Sequence, residues 1–127
     1  MTIDLLLKAL NASWTRETAY KDNQQDWTEA KKEIGQCTVT AMIVFDYFGG
    51  KIIRGYSEKY NLFHYWNEID GKKIDLTFNQ FIGEKDDIIF KKIVVKEKKE
   101  LMKIGNVRRR YKILKEKVEN YFNNISS

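Results

Sequence analysis

The sequence predicts an α+β fold: a core helix packed on a small antiparallel sheet, with helices flanking it at the N- and C-terminal ends. Three observations predict it. Thr38–Phe48 is apolar on nearly every side and closes on Gly49-Gly50. Runs rich in β-branched and aromatic residues then fill residues 51 to 95, two of them joined by Asp70-Gly71. Beyond Lys98 the apolar residues return to helical spacing. No proline, repeat or flexible linker divides the 127 residues, so one domain over 1–127 is expected.

Each element has its own warrant. Ile3, Leu6, Leu7 and Leu10 give residues 3–12 one buried helical stripe. Residues 13–36 are polar, with Trp14, Tyr20 and Trp27 as scattered anchors, and read as an ordered connector with a turn of helix near 26–32. Connectors this long often line a site. Thr38–Phe48 leaves only Asp46 as a polar face, the mark of a core helix, and glycine accepts the left-handed conformation that ends it. Lys51–Ser57 and Tyr60–Ile69 read as strands, Asp70-Gly71 as a tight hairpin turn and Lys72–Leu76 as the return strand. Thr77–Phe81 reads as a short helix and Asp87–Val95 as a further strand. Leu101, Ile104, Val107, Tyr111, Leu114, Val118, Tyr121 and Phe122 predict a helix from about Lys98 to Asn123.

Composition narrows the class of function. At 43% apolar and 13% aromatic the chain is expected to fold rather than stay disordered. No apolar run reaches the roughly 20 residues that span a bilayer, so no membrane partner is expected. MTIDLLLKALNAS lacks the basic start of a secretory leader and reads as an amphipathic helix. The single cysteine forms no internal disulfide, which fits a reducing cytoplasm. With one cysteine, one histidine and no CxxC, a zinc site lacks its ligands, and no metal or cofactor is expected. The net charge of +5 is lopsided: residues 1–90 carry 11 Lys and Arg against 14 Asp and Glu, residues 91–127 carry 12 against 4. Such a basic third attracts nucleic acid or an acidic partner, or is simply a solvated helix face.

The chemistry-bearing residues are the single thiol and the single imidazole. Cys37 stands where a helix begins, and a helix N-terminus favours the thiolate. A nucleophilic thiol also needs a base and a group that orients the base. The hairpin supplies a geometric test. If Asp70-Gly71 is a two-residue loop, Ile69 pairs with Lys72, Trp66 with Asp75 and His64 with Thr77. His64, Trp66 and Asp75 then share a face, with His64 and Asp75 as diagonal neighbours, while Asn67 points the other way. Cys37, His64 and Asp75 are therefore the candidate catalytic set: nucleophile, proton shuttle and orienting carboxylate. Their order along the chain is similar to that of papain-like and transglutaminase-like enzymes, where the thiol starts a core helix and the base pair lies on adjacent strands.

An acyl-transfer site further needs donors for an oxyanion. The backbone N–H of Cys37, the side-chain amide of Gln36 and the indole N–H of Trp14 are the candidates. Trp14, Trp66 and the connector are expected to wall a pocket for an unidentified small-molecule or peptide substrate. Two other readings stay open. Cys37 is equally a small core residue and His64 a satisfied buried group, in a scaffold without chemistry. Alternatively, Lys98, Lys99, Arg108 and Arg109, with Lys91, Lys92, Lys96, Lys103, Lys112, Lys115 and Lys117, form a binding surface for nucleic acid or an acidic protein, although no known nucleic-acid motif is present. Arg110 leaves that surface if it packs beside Tyr111.

The combination GQCTVTA, DYFGG, HYWN, DGKKIDLT and NQF resembles the YunG-like family of small bacterial proteins. SWTRETAY (Ser13–Tyr20) and RRYKILKEKV (Arg109–Val118) are similar to its outer segments, so the resemblance runs over about residues 5–120. Gly35, Gln36, Cys37, Thr40, Gly49, Gly50, His64, Tyr65, Trp66, Asn67, Asp75, Leu76, Thr77, Gln80 and Phe81 match the family pattern. Gln80 and Asn67 also have structural readings, as a backbone anchor near the hairpin and as a turn or surface residue. The connector departs from the family by having no proline, which touches loop shape and not the site. The resemblance implies a single-domain, soluble bacterial protein and no particular activity.

Overall fold

The computed structural model describes residues 1–78 and 88–126. Its elements are α1 (Ile3–Ser13), α2 (Cys37–Phe48), β1 (Lys51–Ser57), β2 (Leu62–Ile69), β3 (Lys72–Ile74), β4 (Phe90–Lys96), α3 (Lys98–Leu101) and α4 (Val107–Ser126). The four strands form one antiparallel sheet in the order β3-β2-β1-β4. This is the α+β arrangement that the sequence predicts. No described helix is long and apolar enough to cross a membrane.

Helix α2 holds the fold together. Val39 to Val44 are all buried, and α2 packs against both β2 and α4, while α1 lies along α4. Leu6, Leu10, Met42, Ile43, Ile52, Leu114 and Val118 are sealed from solvent in the resulting core. Each such aliphatic side chain is worth about 1.5–3 kcal/mol over leaving it exposed. The first residue of α2 is thereby carried on a firmly anchored element. Asp46, the polar residue of α2, is also tied down: Lys98 Nζ donates to its Oδ1 at 2.6 Å and the Tyr111 hydroxyl to its Oδ2. Burial and the neighbouring Asp46 carboxylate push Tyr111 up to about 12, so the phenol stays a donor.

The hairpin follows the predicted register. Ile69 pairs with Lys72, Glu68 with Lys73 and Asn67 with Ile74. Asp70 and Gly71 both take positive φ, 52° and 77°, as a two-residue turn with the twist of the strands requires. On one face of β2, Asn67 Nδ2 donates to the Ala41 carbonyl at 2.9 Å, which locks the strand to α2. The other face carries His64 and Trp66. There, Gly55 of β1 lies opposite His64, and any Cβ on it would meet the Trp66 ring at 2.6 Å.

Several boundaries differ from expectation, each for a local reason. β3 ends at Ile74 rather than Leu76, because the Asp75 carboxylate takes the Thr77 N–H at 3.3 Å and turns the chain. β2 starts at Leu62, after Asn61 at φ 51°. The connector has 3-10 turns at Arg16–Thr18 and Lys21–Asn23 in place of a helical turn near 26–32, where only an isolated Thr28–Lys31 bridge forms. The single C-terminal helix is instead two, broken around Gly105 at φ 42°, which leaves Leu101 buried and Ile104 exposed. The end of the expected Thr77–Phe81 helix, the start of the Asp87–Val95 strand, and Gln80 and Phe81 lie outside the described residues.

Candidate active site

Cys37 is the first residue of α2, a helix of 12 residues. The leading N–H groups of a helix have no intrahelical acceptor, and Gln36 at the N-cap offers α2 no side-chain bond. The thiol therefore sits at the positive end of the helix dipole, beside N–H groups free to meet a ligand. The sulfur is hydrogen-bonded to the His64 imidazole and accepts the backbone N–H of Tyr65. The start of α2 thus abuts the β2 backbone at the histidine itself.

His64 is fully buried, with Nε2 2.7 Å from Asp75 Oδ2. With Nε2 engaged, Nδ1 is the ring nitrogen left for the sulfur. Asp75 is held in turn by Thr77, whose N–H and Oγ1 both lie on Oδ1, at 3.3 and 3.4 Å. Phe90 stacks on the imidazole at 5.4 Å between ring centres, and Trp66 sits 6.0 Å away, so the ring has little room to turn. Sulfur, imidazole and carboxylate form one hydrogen-bonded chain.

The electrostatics follow from that chain. Burial pushes the Cys37 thiol up and the Asp75 charge adds to this. The His64 hydrogen bond and charge and the Tyr65 N–H outweigh both, so Cys37 lies below an ordinary thiol. Burial pushes His64 down, but the hydrogen bonds and charges of Asp75 and Cys37 carry it up to about 9. The two shifts run in the same sense: both favour a thiolate beside an imidazolium over a neutral thiol and imidazole.

Cys37 opens onto a cleft of about 530 Å³, whose walls include Tyr20, Gly35, Thr38, Phe63, Tyr65 and Arg110. Gly35 shapes this wall: its φ is +74°, and a Cβ there would lie 2.9 Å from the Tyr20 nitrogen. The closeness lets Tyr20 N–H bond the Gly35 carbonyl at 2.8 Å and brings the connector to the site.

The other expected site residues lie elsewhere. Trp14 is 3% exposed and spends its indole N–H on Thr40 Oγ1 at 2.9 Å, so it neither lines the cleft nor offers a donor there. Trp66 packs on Phe90 at 5.0 Å and carries Lys73 Nζ over its ring, a wall behind the histidine rather than a surface of the cleft. The expected Trp14–Trp66 pocket is therefore corrected: the connector contributes Tyr20 and Gly35 instead. Gln36 is buried away from the cleft, its Oε1 accepting from Thr18 Oγ1 and its Nε2 donating to the Thr15 carbonyl. It fastens the connector to the start of α2.

The basic third is dispersed in its contacts. Lys98 is spent on Asp46 and Tyr111, Lys96 pairs with Glu100, and Lys91 with Glu58. Lys99, Arg108 and Arg109 are exposed, as are Lys112, Lys115 and Lys117, with Glu116 and Glu119 among them. Arg110 turns inward as expected, though onto the Thr18 carbonyl and the Tyr20 ring rather than beside Tyr111. Sequence reasoning had no signal for Arg110 facing the cleft, nor for the Tyr65 N–H on the sulfur. Thr77 was visible as the expected partner of His64 across the hairpin, not as the group that holds Asp75.

Fold and site together define an α+β protein with a buried Cys–His–Asp chain open to one cleft. The profile of the family described as YunG protein matches residues 2–123, and the chain belongs to that family. It is 38% identical over 72 residues to "Uncharacterized protein YunG" of Bacillus subtilis (strain 168), a match spanning 57% of this chain and 56% of that relative. No solved structure matches the chain.

Proposed function

We propose that this protein is a thiol-dependent hydrolase or acyltransferase acting on an amide or ester. One observation carries the reading: a cysteine at a helix start, open to a cleft, is bonded to a buried histidine whose far nitrogen is fixed by a carboxylate. A cysteine that serves only packing does not need that partner. The order Cys37, His64, Asp75 along the chain, which is also the order in papain-like and transglutaminase-like enzymes, agrees with this reading.

The Cys37 thiolate attacks the carbonyl carbon, and the carbonyl electron pair moves onto oxygen. Backbone N–H groups at the start of α2, that of Cys37 first, face the developing oxyanion. The tetrahedral species collapses, the bond to the leaving amine or alkoxide breaks, and the His64 imidazolium supplies its proton. A thioester on Cys37 remains. His64, now neutral, takes a proton from water or an acceptor amine as it attacks, and the thiolate leaves. Asp75 keeps the ring oriented throughout. The basic α4 surface offers a rival role in binding nucleic acid, but no arrangement of its side chains singles out such a partner.

A panel of activated esters and amides tests the proposal. The expected result is a covalent acyl adduct on Cys37, seen by mass spectrometry, and turnover with a bell-shaped pH profile. The rising limb belongs to Cys37, below an ordinary thiol, and the falling limb near 9 to His64. Turnover that persists in Cys37→Ala, or adduct formation indifferent to His64, contradicts it.

A further inference from the structure

We infer that the cleft takes a substrate bearing a carboxylate, which Arg110 grips while the scissile carbonyl lies at Cys37. This deepens the thiol-enzyme reading above and rests on it.

Arg110 is only 3% exposed, yet it lines the cleft that opens at Cys37. Its guanidinium is fixed from behind. Nε donates to Asn106 Oδ1 at 3.0 Å and Nη1 to the Thr18 carbonyl at 3.2 Å. Tyr20 lies alongside, its ring centre 5.8 Å from Cζ. Both hydrogen-bond partners are neutral, and among the described residues no carboxylate pairs with Arg110. Asp75, the buried carboxylate of the site, is engaged by His64.

A buried guanidinium with only neutral acceptors has lost hydration that two hydrogen bonds do not replace. The Cys37 sulfur lends some negative charge across the cleft but makes no hydrogen bond to the guanidinium, so the group keeps its capacity for an anion that docks there. Five N–H donors belong to the group, and the two bonds to Asn106 and Thr18 leave the Nη2 end unspent. That end matches the two oxygens of a carboxylate. The rest of the cleft argues against a polyphosphate. Its walls mix aromatic and aliphatic side chains with small polar ones, Arg110 is the one cation among the described lining residues, and exposed Asp22 also lines the cleft. A single fixed cation in such a cleft suits a small monoanionic organic acid, such as an acyl amino acid or a peptide end.

The test uses the whole wild-type protein and two probes, N-acetylglycine and N-acetylglycinamide, which differ only in the charged end. Each is titrated while the Arg110 Nε–H and the Cys37 and Thr38 amide signals are followed by NMR. The acid is expected to shift these signals and to bind about tenfold tighter than the amide, the scale of a charge-assisted bidentate pair. Arg110→Gln is expected to abolish the preference. Equal binding of acid and amide, or a preference unchanged in Arg110→Gln, overturns the inference. So does acid binding that leaves the Arg110 signal unmoved. The wild-type comparison stands even if the variant folds poorly. No bond to Cys37 forms in the titration, so its outcome is independent of thiol reactivity, which is measured separately by alkylation. A reactive thiol without acid preference sinks only the carboxylate inference; acid preference with an inert thiol sinks only the enzyme reading.

Discussion

His64→Ala is expected to slow alkylation of Cys37 by iodoacetamide at pH 7 by about tenfold or more. An ordinary thiol, with a pKa of about 8.5, is only a few per cent thiolate at that pH. In the wild-type protein the His64 bond and charge hold Cys37 lower, so a larger share of the population is nucleophile. Removing the imidazole leaves burial, which disfavours the charged sulfur, opposed only by the Tyr65 N–H and the helix start. The pH midpoint of alkylation therefore moves upward in the variant. The reading is clean because the chain has one cysteine, so every adduct reports on this site. Equal rates and midpoints in the two proteins are the contrary result.

Asp75→Ala is expected to destabilise the fold by about 3–5 kcal/mol, read as a drop in denaturant midpoint. The substitution removes more than a charge. It takes from His64, which is wholly buried, its carboxylate partner, and it unties the turn that Thr77 makes after β3. Asp75→Asn keeps the size and one acceptor, so it is expected to restore part of the stability and little of the Cys37 reactivity. Stability also depends on pH through this chain of groups. His64 is raised from 6.5 to about 9, so its contribution is full below 6.5 and lost as pH climbs through about 9. Cys37 is lowered, so its contribution is present above the ordinary thiol value and lost as pH falls through its folded one. A wild-type loss of stability as pH rises from 6.5 to about 9, smaller in Asp75→Asn, is the expected signature.

Much of the site was legible because strand parity is a strict rule. Once Asp70-Gly71 was read as a two-residue turn, the pairing of Ile69 with Lys72 fixed which face carried His64 and brought Asp75 beside it. The start of α2 was legible for a similar reason, since an all-apolar run bounded by Gly35-Gln36 and Gly49-Gly50 has only one way to be buried. The connector was not legible. Its conformation depends on Gly35 at positive φ, on Gln36 bonded between Thr15 and Thr18, and on Trp14 bonded to Thr40. These contacts join residues distant in sequence, and no period reveals them. Tryptophan anchors read as pocket walls because their size is visible in the sequence and their partners are not. Arg110 was legible only in part: its departure from the basic surface was foreseen, its place at the cleft was not. It stands in an RRR run that reads as a solvated basic face, and only the packing of α4 beside the Arg16–Thr18 turn draws its third arginine inward. The break at Gly105 was within reach of sequence reasoning, since a glycine inside a helical pattern is a recognised stop, but the spacing of Leu101 and Ile104 carried the helix through it.

The central claim is that Cys37 and His64 form a thiolate–imidazolium pair, and nitrogen-15 NMR of the imidazole tests it most directly. The chain contains one histidine, so its ring signals need no assignment among neighbours. The account predicts both ring nitrogens protonated at pH 7, with the proton lost near 9, and a lower titration midpoint in Cys37→Ser. A neutral imidazole at pH 7 in the wild-type protein, with a titration unmoved by that substitution, would make Cys37 a packed thiol and His64 a structural partner of Asp75.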